Sequence, residues 1–193
     1  MQHDLTEKKE LNPEQVVLAY ANGYFPMAEE AEDSVIYWHK PKKRAVFILK
    51  KFELRKSLIK LLEAETFTFT INTAFDSVID GCADRDSTWI SEEILEVYKK
   101  LNRMGFAYSF EAWQDGKLAG GLYGIVLGKV FFGESMFHTI PGASKATFAF
   151  LVNTLKDRGF RMIDSQYLNH FTEWLGAKEI SDKRYMKILL ESI

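Results

Sequence analysis

The sequence predicts an α/β (α+β) fold organised around a mixed β-sheet. From residue 72 onward, the apolar patterns run in the order helix, helix, antiparallel meander, helix and strand. A composition of 47% hydrophobic and 27% charged residues is ordinary for a folded globular chain of 193 residues. We therefore expect a small N-terminal lobe over residues 1–62 and a larger domain over residues 63–193.

The N-terminal lobe is predicted to hold two helices and two short strands. Asn12 followed by Pro13 is a favoured helix start, because Asn caps free N–H groups and Pro fits the first helical position. Gly23 suits the end of that helix, since glycine adopts the left-handed conformation without strain. The predicted elements are a helix over residues 12–23, strands over residues 35–39 and 45–49, and a helix over residues 52–65.

Residues 66–104 are predicted to form one strand and two helices. Cys82 falls on the same apolar helical stripe as Phe75 and Val78, so we expect it to pack in the core and not to act as a nucleophile. Ser91 is a favoured helix cap, and Gly105 a favoured helix end. The predicted elements are a strand over residues 66–71 and helices over residues 72–83 and 91–104.

An antiparallel meander is predicted next, because Asp115-Gly116 and Gly128-Lys129 are typical hairpin turns between apolar runs. The central strand contains Gly120, Gly121 and Gly124, and interior glycines mark the close approach of a ligand or of another backbone. The predicted elements are strands over residues 106–113, 117–127 and 130–137, a helix over 143–158, a strand over 161–167, a short helix over 170–175 and a last strand over 184–190.

The charge of the chain is concentrated in one segment. Between Lys40 and Lys60 there are nine Lys or Arg residues and one acidic residue, Glu53, although the net charge of the whole chain is −2. Such a patch fits a surface that binds the phosphate backbone of a nucleic acid. It fits equally well a solvated face that helps solubility, and the charge pattern leaves both readings open.

Several classes of protein and site are disfavoured. No apolar run approaches the roughly 20 residues of a membrane span, and the polar N-terminus does not resemble a signal peptide. One cysteine and four histidines without ligand spacing predict no disulfide, no metal and no cofactor site of those kinds. Ser135 and Ser144 lack the neighbouring residues of a catalytic triad. We expect a cytoplasmic protein without a membrane partner, and a monomer.

Residues 130–145 join an apolar strand to a helix that begins after Gly142. Helix N-termini carry free N–H groups and partial positive charge, so the junction suits an anionic or ester substrate, although many α/β domains contain an ordinary junction of this kind. Glu134 shares a strand face with Phe132 and Met136. A carboxylate between apolar neighbours is either paired or functional.

Asp164 and Gln166 are predicted to share one face of the strand over residues 161–167, because residues two apart in a strand point the same way. The Asp164 carboxylate would then accept from the Gln166 amide and leave the amide oxygen as an oriented acceptor for an incoming amine. The alternative is a satisfied polar pair at the end of a strand.

A set of motifs in a fixed order, from about residue 11 to the C-terminus, resembles the leucyl/phenylalanyl-tRNA–protein transferases. The motifs are Tyr24-Phe25-Pro26-Met27, the Trp38 segment, Cys82 with residues 84–90, residues 120–124, residues 132–137, Ala143-Ser144-Lys145 and residues 164–169. The resemblance implies an N-terminal lobe and a C-terminal domain like the GNAT acyltransferases. It also implies transfer of Leu, Phe or sometimes Met from aminoacyl-tRNA to the N-terminal Arg or Lys of a protein, which marks that protein for degradation through the N-degron pathway.

The resemblance carries residue roles by motif position. Residues around an aminoacyl-adenosine and substrate pocket correspond to Trp38, Trp89, Phe131, Glu134, Ser135, Met136, Ser144 and Asn169. Asp164 and Gln166 correspond to the pair that acts on the acceptor amine. The predicted tRNA-binding cations are Lys42, Lys43, Arg44, Lys51, Arg55, Lys56 and Lys60.

Two other functions compete with this reading. An N-acyltransferase of the same fold would take its acyl group from acyl-CoA, but a small thioester donor does not need a patch of nine cations. A tRNA-binding module without catalysis would bind RNA with a steep salt dependence and show no turnover.

Overall fold

The computed structural model describes residues 11–28, 36–84 and 90–193. Helices in these ranges are α1 (Pro13–Ala21), α2 (Lys56–Glu63), α3 (Phe75–Ala83), α4 (Glu92–Arg103), α5 (Ala143–Asp157), α6 (His170–Leu175) and α7 (Asp182–Leu190). Strands are β1 (Phe25–Ala28), β2 (Ile36–His39), β3 (Lys43–Ile48), β4 (Thr68–Ile71), β5 (Ala107–Gln114), β6 (Lys117–Leu127), β7 (Val130–His138), β8 (Met162–Asp164) and β9 (Lys178–Ser181). No helix of the described part is long and apolar enough to cross a membrane.

A seven-stranded sheet runs in the order β4-β5-β6-β7-β8-β3-β9, and β1 pairs with β2 in a separate two-stranded sheet. Within the large sheet β7 and β8 are parallel, whereas the other neighbours are antiparallel. A parallel pair needs a crossover, and α5 provides it. The predicted mixed sheet and the predicted meander β5-β6-β7 are therefore confirmed.

Strand β3 enters the large sheet from the N-terminal part of the chain. It pairs with β8 on one side and with β9 on the other. The predicted boundary near residue 62 stays a prediction. Strand β3 precedes this boundary in the sequence, but it is hydrogen-bonded to β8 and β9, which follow the boundary.

The C-terminal segment differs from its prediction as a strand over residues 184–190. It forms helix α7, and the unpredicted strand β9 precedes it. The Ser181 side chain caps α7 by accepting from the backbone N–H of Arg184. Tyr185 and Leu189, the buried residues of α7, are one helical turn apart, so the apolar spacing is helical. The strand prediction was wrong because this short segment carries only one full helical repeat of apolar residues.

Two apolar clusters cover the two faces of the large sheet. Alternation along β6 sends Tyr123 into the cluster with α1, α3, α4 and α7, and Leu122 into the cluster with α2 and α5. Cys82 is fully buried in the first cluster, as predicted.

The β6 glycines allow the close approach of other protein atoms. A Cβ on Gly124 would lie 2.1 Å from the Phe132 carbonyl oxygen, at the irregularity between β6 and β7. A Cβ on Gly121 would lie 2.8 Å from Val78 of α3, and one on Gly120 would lie 2.9 Å from Ala143 of α5. Of the two interpretations of these glycines, approach of another backbone fits Gly124 and Gly120, which face the carbonyl oxygens of Phe132 and Phe137, whereas Gly121 makes room for the Val78 side chain.

Candidate active site

A cavity of about 390 Å³ lies where the parallel strands β7 and β8 separate. Their pairing ends at Phe132 and Asp164. Beyond this point β7 continues to His138, whereas β8 ends at Asp164 and the segment that follows it turns away from β7. The cavity floor is apolar and the rim is polar. The floor includes Phe47, Leu122, Phe131, Phe148, Leu151, Ile163 and Leu175, and the rim includes Glu134, Ser135, Ser165, Gln166, Asn169 and Thr172.

Asp164 lies behind the cavity wall and is fully buried. Its carboxylate accepts hydrogen bonds from Arg44 Nε and Nη2 at 2.8–3.0 Å and from the Tyr185 hydroxyl at 2.7 Å. It also accepts from the backbone N–H of Gln166 at 2.9 Å. The expected bond from the Gln166 side-chain amide is therefore replaced by one from its backbone, because Arg44 and Tyr185 occupy the carboxylate.

Arg44 is the buried partner of this carboxylate and does not belong to the exposed cationic surface. Its guanidinium lies 4.6 Å from the Phe25 ring centroid and 4.7 Å from that of Tyr185, and it donates to the Gly23 carbonyl. Burial lowers the pKa of Arg44, but the Asp164 carboxylate outweighs burial and holds that pKa above its ordinary value. The prediction that Arg44 binds tRNA was wrong, since strand alternation turns this side chain inward.

Gln166 lies in a turn after the end of β8, with φ of 55° in the left-handed region. Two hydrogen bonds made by the Gln166 backbone hold this turn. Its N–H donates to the Asp164 carboxylate, and its carbonyl accepts from Ala45 N–H at 3.0 Å. The side-chain amide nitrogen donates to Glu134 Oε1 at 3.1 Å. Asp164 and Gln166 thus do not share a strand face, and Glu134 orients the Gln166 amide.

Glu134 is held by two tyrosine hydroxyls as well as by Gln166. Tyr20 donates to Oε1 at 2.7 Å, Tyr98 donates to Oε2 at 3.3 Å, and the two hydroxyls are 2.7 Å apart. Burial raises the pKa of Glu134 to about 8, although the tyrosine hydrogen bonds act in the opposite direction. Burial also raises the pKa of both tyrosines, so they act as neutral donors.

Tyr20 and Tyr98 lie within the predicted helices over residues 12–23 and 91–104, and neither was predicted as a site residue. A buried tyrosine hydroxyl needs a hydrogen-bond partner, and this requirement was the available signal that the two residues reach a polar site. Which carboxylate they reach depends on the packing of α1 and α4 against β7, and neither helix pattern contains that information.

The remaining predicted pocket residues are distributed over three places. Phe131, Ser135, Met136 and Asn169 line the cavity, and the Asn169 side chain also caps α6 by accepting from Thr172 N–H. Trp38 pairs in the β1–β2 hairpin with Pro26, which lines the cavity, but Trp38 itself does not. Trp89 lies outside the described residues.

Ser144 lies in a second, open depression of about 850 Å³ beside the N-terminus of α5. Its hydroxyl lies 3.2 Å from His138 Nδ1. This depression shares Met136 and Phe171 with the cavity, so the two spaces adjoin.

Six of the seven cations predicted to bind tRNA are exposed. Lys43 pairs with Glu179 at 3.3 Å, and the Arg55 guanidinium lies 5.7 Å from the Trp174 ring centroid. Within the described ranges, no group of His, Cys, Asp or Glu side chains is arranged to hold a metal ion. The exposed cations are Lys42, Lys43, Lys51, Arg55, Lys56 and Lys60.

Solved structures with little sequence similarity share the fold. The crystal structure of FemX aligns with a TM-score of 0.58 at 10% identity, over 86% of this chain and 66% of that chain. A GCN5-related glucosamine N-acetyltransferase region of a fungal multi-domain GH3 β-N-acetylglucosaminidase aligns with a TM-score of 0.51 at 9% identity, over 90% of this chain and 22% of that chain. The predicted GNAT-like fold is therefore confirmed.

Sequence comparison gives the family. The family model for leucyl/phenylalanyl-tRNA protein transferase matches residues 46–190, and the model for its N-terminal domain matches residues 9–42. The leucyl/phenylalanyl-tRNA–protein transferase of Nitrobacter winogradskyi is 43% identical over 95% of this chain and 84% of its own length. That of Gloeobacter violaceus is 46% identical over 93% of this chain and 92% of its own length. The chain belongs to the leucyl/phenylalanyl-tRNA–protein transferase family.

Proposed function

We propose that this protein transfers Leu or Phe, and in the same way Met, from aminoacyl-tRNA to the N-terminal Arg or Lys of acceptor proteins. The product is marked for degradation through the N-degron pathway. The observation that carries the residue assignment is the Glu134–Gln166 hydrogen bond at the rim of an apolar cavity. We expect the protein to act as a cytoplasmic monomer without a cofactor.

The donor side chain occupies the apolar floor of the cavity. The part of the cavity walled by phenylalanine, leucine and isoleucine suits a large apolar side chain and offers no partner for a charged one. The ester carbonyl of the donor then lies at the polar rim, near Gln166 and Glu134.

The acceptor α-amine attacks the ester carbonyl carbon. A C–N bond forms, the C–O bond to the ribose breaks, and the proton lost by the amine balances the proton gained by the ribose oxygen. An ester becomes an amide, so no nucleoside triphosphate is required. An α-amine has an ordinary pKa of about 7.7–8.0, and roughly a tenth or more is already neutral near pH 7.

Gln166 receives the acceptor amine. Its NH₂ group is held by Glu134, so the amide oxygen remains as an acceptor for an amine N–H, and no described residue donates to that oxygen. Glu134 has a pKa raised to about 8, close to that of an α-amine, which suits it to exchange a proton with the amine at neutral pH. Asp164 is a positioning residue, since it does not line the cavity and its carboxylate is occupied by Arg44 and Tyr185.

One assay tests this function. Labelled leucyl-tRNA is incubated with the protein and a peptide that begins with Arg, and label is followed into the peptide. We expect transfer that is abolished when the peptide N-terminus is acetylated. RNA binding without transfer would instead indicate a tRNA-binding module. Acyl transfer from acetyl-CoA, unaffected by tRNA, would indicate an acyl-CoA-dependent N-acyltransferase.

A further inference from the structure

Helix α6 presents a pair of aromatic rings where the two spaces meet. Phe171 lines both the cavity and the depression beside α5, and 38% of its surface is exposed. The Trp174 ring stacks near-parallel to it, with centroids 6.4 Å apart and planes inclined by 18°. An exposed ring supported by a second ring is a rigid flat surface for another planar group.

Two cations contact the Trp174 ring. Lys145 Nζ lies 4.6 Å from the Trp174 centroid and the Arg55 guanidinium lies 5.7 Å from it. Considering residues 11–28, 36–84 and 90–193, neither cation has a carboxylate oxygen within 4.0 Å. Their charge is therefore available to an anion at the edge of the rings.

The rings connect the cavity with the basic surface. Lys145 lines the depression, and Arg55 directly precedes α2, which carries the exposed Lys56 and Lys60. A ligand that extends from the cavity over Phe171 meets positive charge along this route. Single-stranded nucleic acid matches such a surface, because its bases stack on aromatic rings and its phosphates pair with cations.

We propose that Phe171 and Trp174, with Lys145 and Arg55, form a stacking platform for an unpaired nucleotide of the donor RNA next to the aminoacylated terminal nucleotide. The inference rests on the proposed function and adds an RNA contact where the cavity meets the depression beside α5. An acceptor peptide fits this surface less well, because its N-terminal Arg or Lys would face Lys145 and Arg55 at close range.

The test measures binding of uncharged tRNA by fluorescence anisotropy, so that neither the reaction nor the aminoacyl group contributes. Phe171→Leu keeps apolar volume but removes the aromatic face, and should weaken binding about ten-fold, whereas Phe171→Tyr should bind like the unaltered protein. Lys145→Gln should reduce the slope of log affinity against log salt by about 0.7–0.9. On tRNA trimmed of its unpaired 3′ nucleotides, Phe171→Leu should have no effect.

The chain offers a matched control pair. Lys129 Nζ lies 5.5 Å from the Phe160 ring centroid, away from both spaces, so Phe160→Leu and Lys129→Gln make the same chemical changes elsewhere. Neither should change tRNA affinity by more than two-fold.

Three outcomes overturn the platform: unchanged tRNA binding by Phe171→Leu and Lys145→Gln, equal weakening on intact and trimmed tRNA, or a raised KM for the acceptor peptide with tRNA binding unchanged. If Phe171→Leu does not fold, the slope of log tRNA affinity against log salt for Lys145→Gln tests the proposal instead. Failure of the proposed function is a separate result, because it would appear as absence of label transfer by the unaltered protein.

Discussion

The Gln166 side-chain amide is bonded to Glu134 on β7, and this bond spans the gap in which the cavity lies. Glu134 therefore controls which end of the amide faces the cavity. Asp164 controls a different property, the position of the Gln166 backbone, through the hydrogen bond from its N–H. Orientation and placement of one side chain thus come from two carboxylates on neighbouring strands.

Replacing Gln166 by Ala should lower the transfer of Leu from tRNA to an Arg-peptide. The variant removes the acceptor oxygen that we propose holds the amine, and a positioned group of this kind typically contributes about 10²-fold or more to a rate. We expect kcat to fall by about 100-fold and the free energy of unfolding to change little, because Gln166 lies at the cavity rim. The measurement is initial rate against peptide concentration.

The same substitution at Gln114, which ends β5, is the matched control and should leave the rate unchanged. A Gln166→Ala variant with a wild-type kcat would show that Gln166 does not act on the amine.

Glu134 should make the free energy of unfolding depend on pH. Its pKa is about 8 in the folded protein against an ordinary 4.5, so between these pH values the folded state binds more protons than the unfolded state. The contribution of Glu134 to stability is therefore fully present below pH 4.5 and is lost as pH rises to about 8. Glu134→Gln cannot titrate, so wild type should lose stability relative to this variant between pH 5 and pH 8.5. Urea unfolding at both pH values measures the difference.

Every other titratable group is common to wild type and Glu134→Gln, so the difference between the two proteins at each pH isolates the effect of Glu134. A parallel pH dependence in wild type and Glu134→Gln would contradict the raised pKa.

Local patterns in the sequence predicted most of the elements but only part of the site. The hairpin turns at Asp115-Gly116 and Gly128-Lys129 specify the meander, because turn chemistry and strand alternation are both local. The terminal segment after Ser181 was predicted incorrectly, since nine helical residues with two buried positions give a weak period.

The site contacts depend on non-local pairing that no local pattern contains. Gln166 leaves the strand because Arg44, 120 residues from Asp164 along the chain, occupies the carboxylate that the sequence assigned to the Gln166 amide. The resemblance indicated Phe131 and Glu134, which line the cavity, without indicating this exchange of partners.

Asp164→Asn should destabilise the fold strongly. The substitution leaves the Arg44 guanidinium buried without a counter-charge, and breaking a buried ion pair in this way typically costs about 3–5 kcal/mol. Glu179→Gln is the control, because it breaks the exposed Lys43–Glu179 pair between β3 and β9 of the same sheet. Its cost in the free energy of unfolding should be at most about 1 kcal/mol. Chemical denaturation of the two variants measures both values. If Asp164→Asn were as stable as Glu179→Gln, the buried Arg44–Asp164 pair would not stabilise the fold.

Leu151→Phe should change the donor preference of the enzyme. Leu151 lies on α5 in the apolar floor of the cavity, and a phenyl ring there takes up space that the donor side chain needs. A bulky phenylalanyl donor should lose more than a leucyl donor, by about ten-fold in the ratio of kcat/KM, since steric discrimination in an apolar pocket is typically of this size. Leu155→Phe, on the same helix but outside the cavity, adds equal volume to the core and should leave the ratio unchanged. Competition between labelled phenylalanyl-tRNA and leucyl-tRNA measures the ratio directly, and an unchanged ratio in Leu151→Phe would place the donor side chain elsewhere.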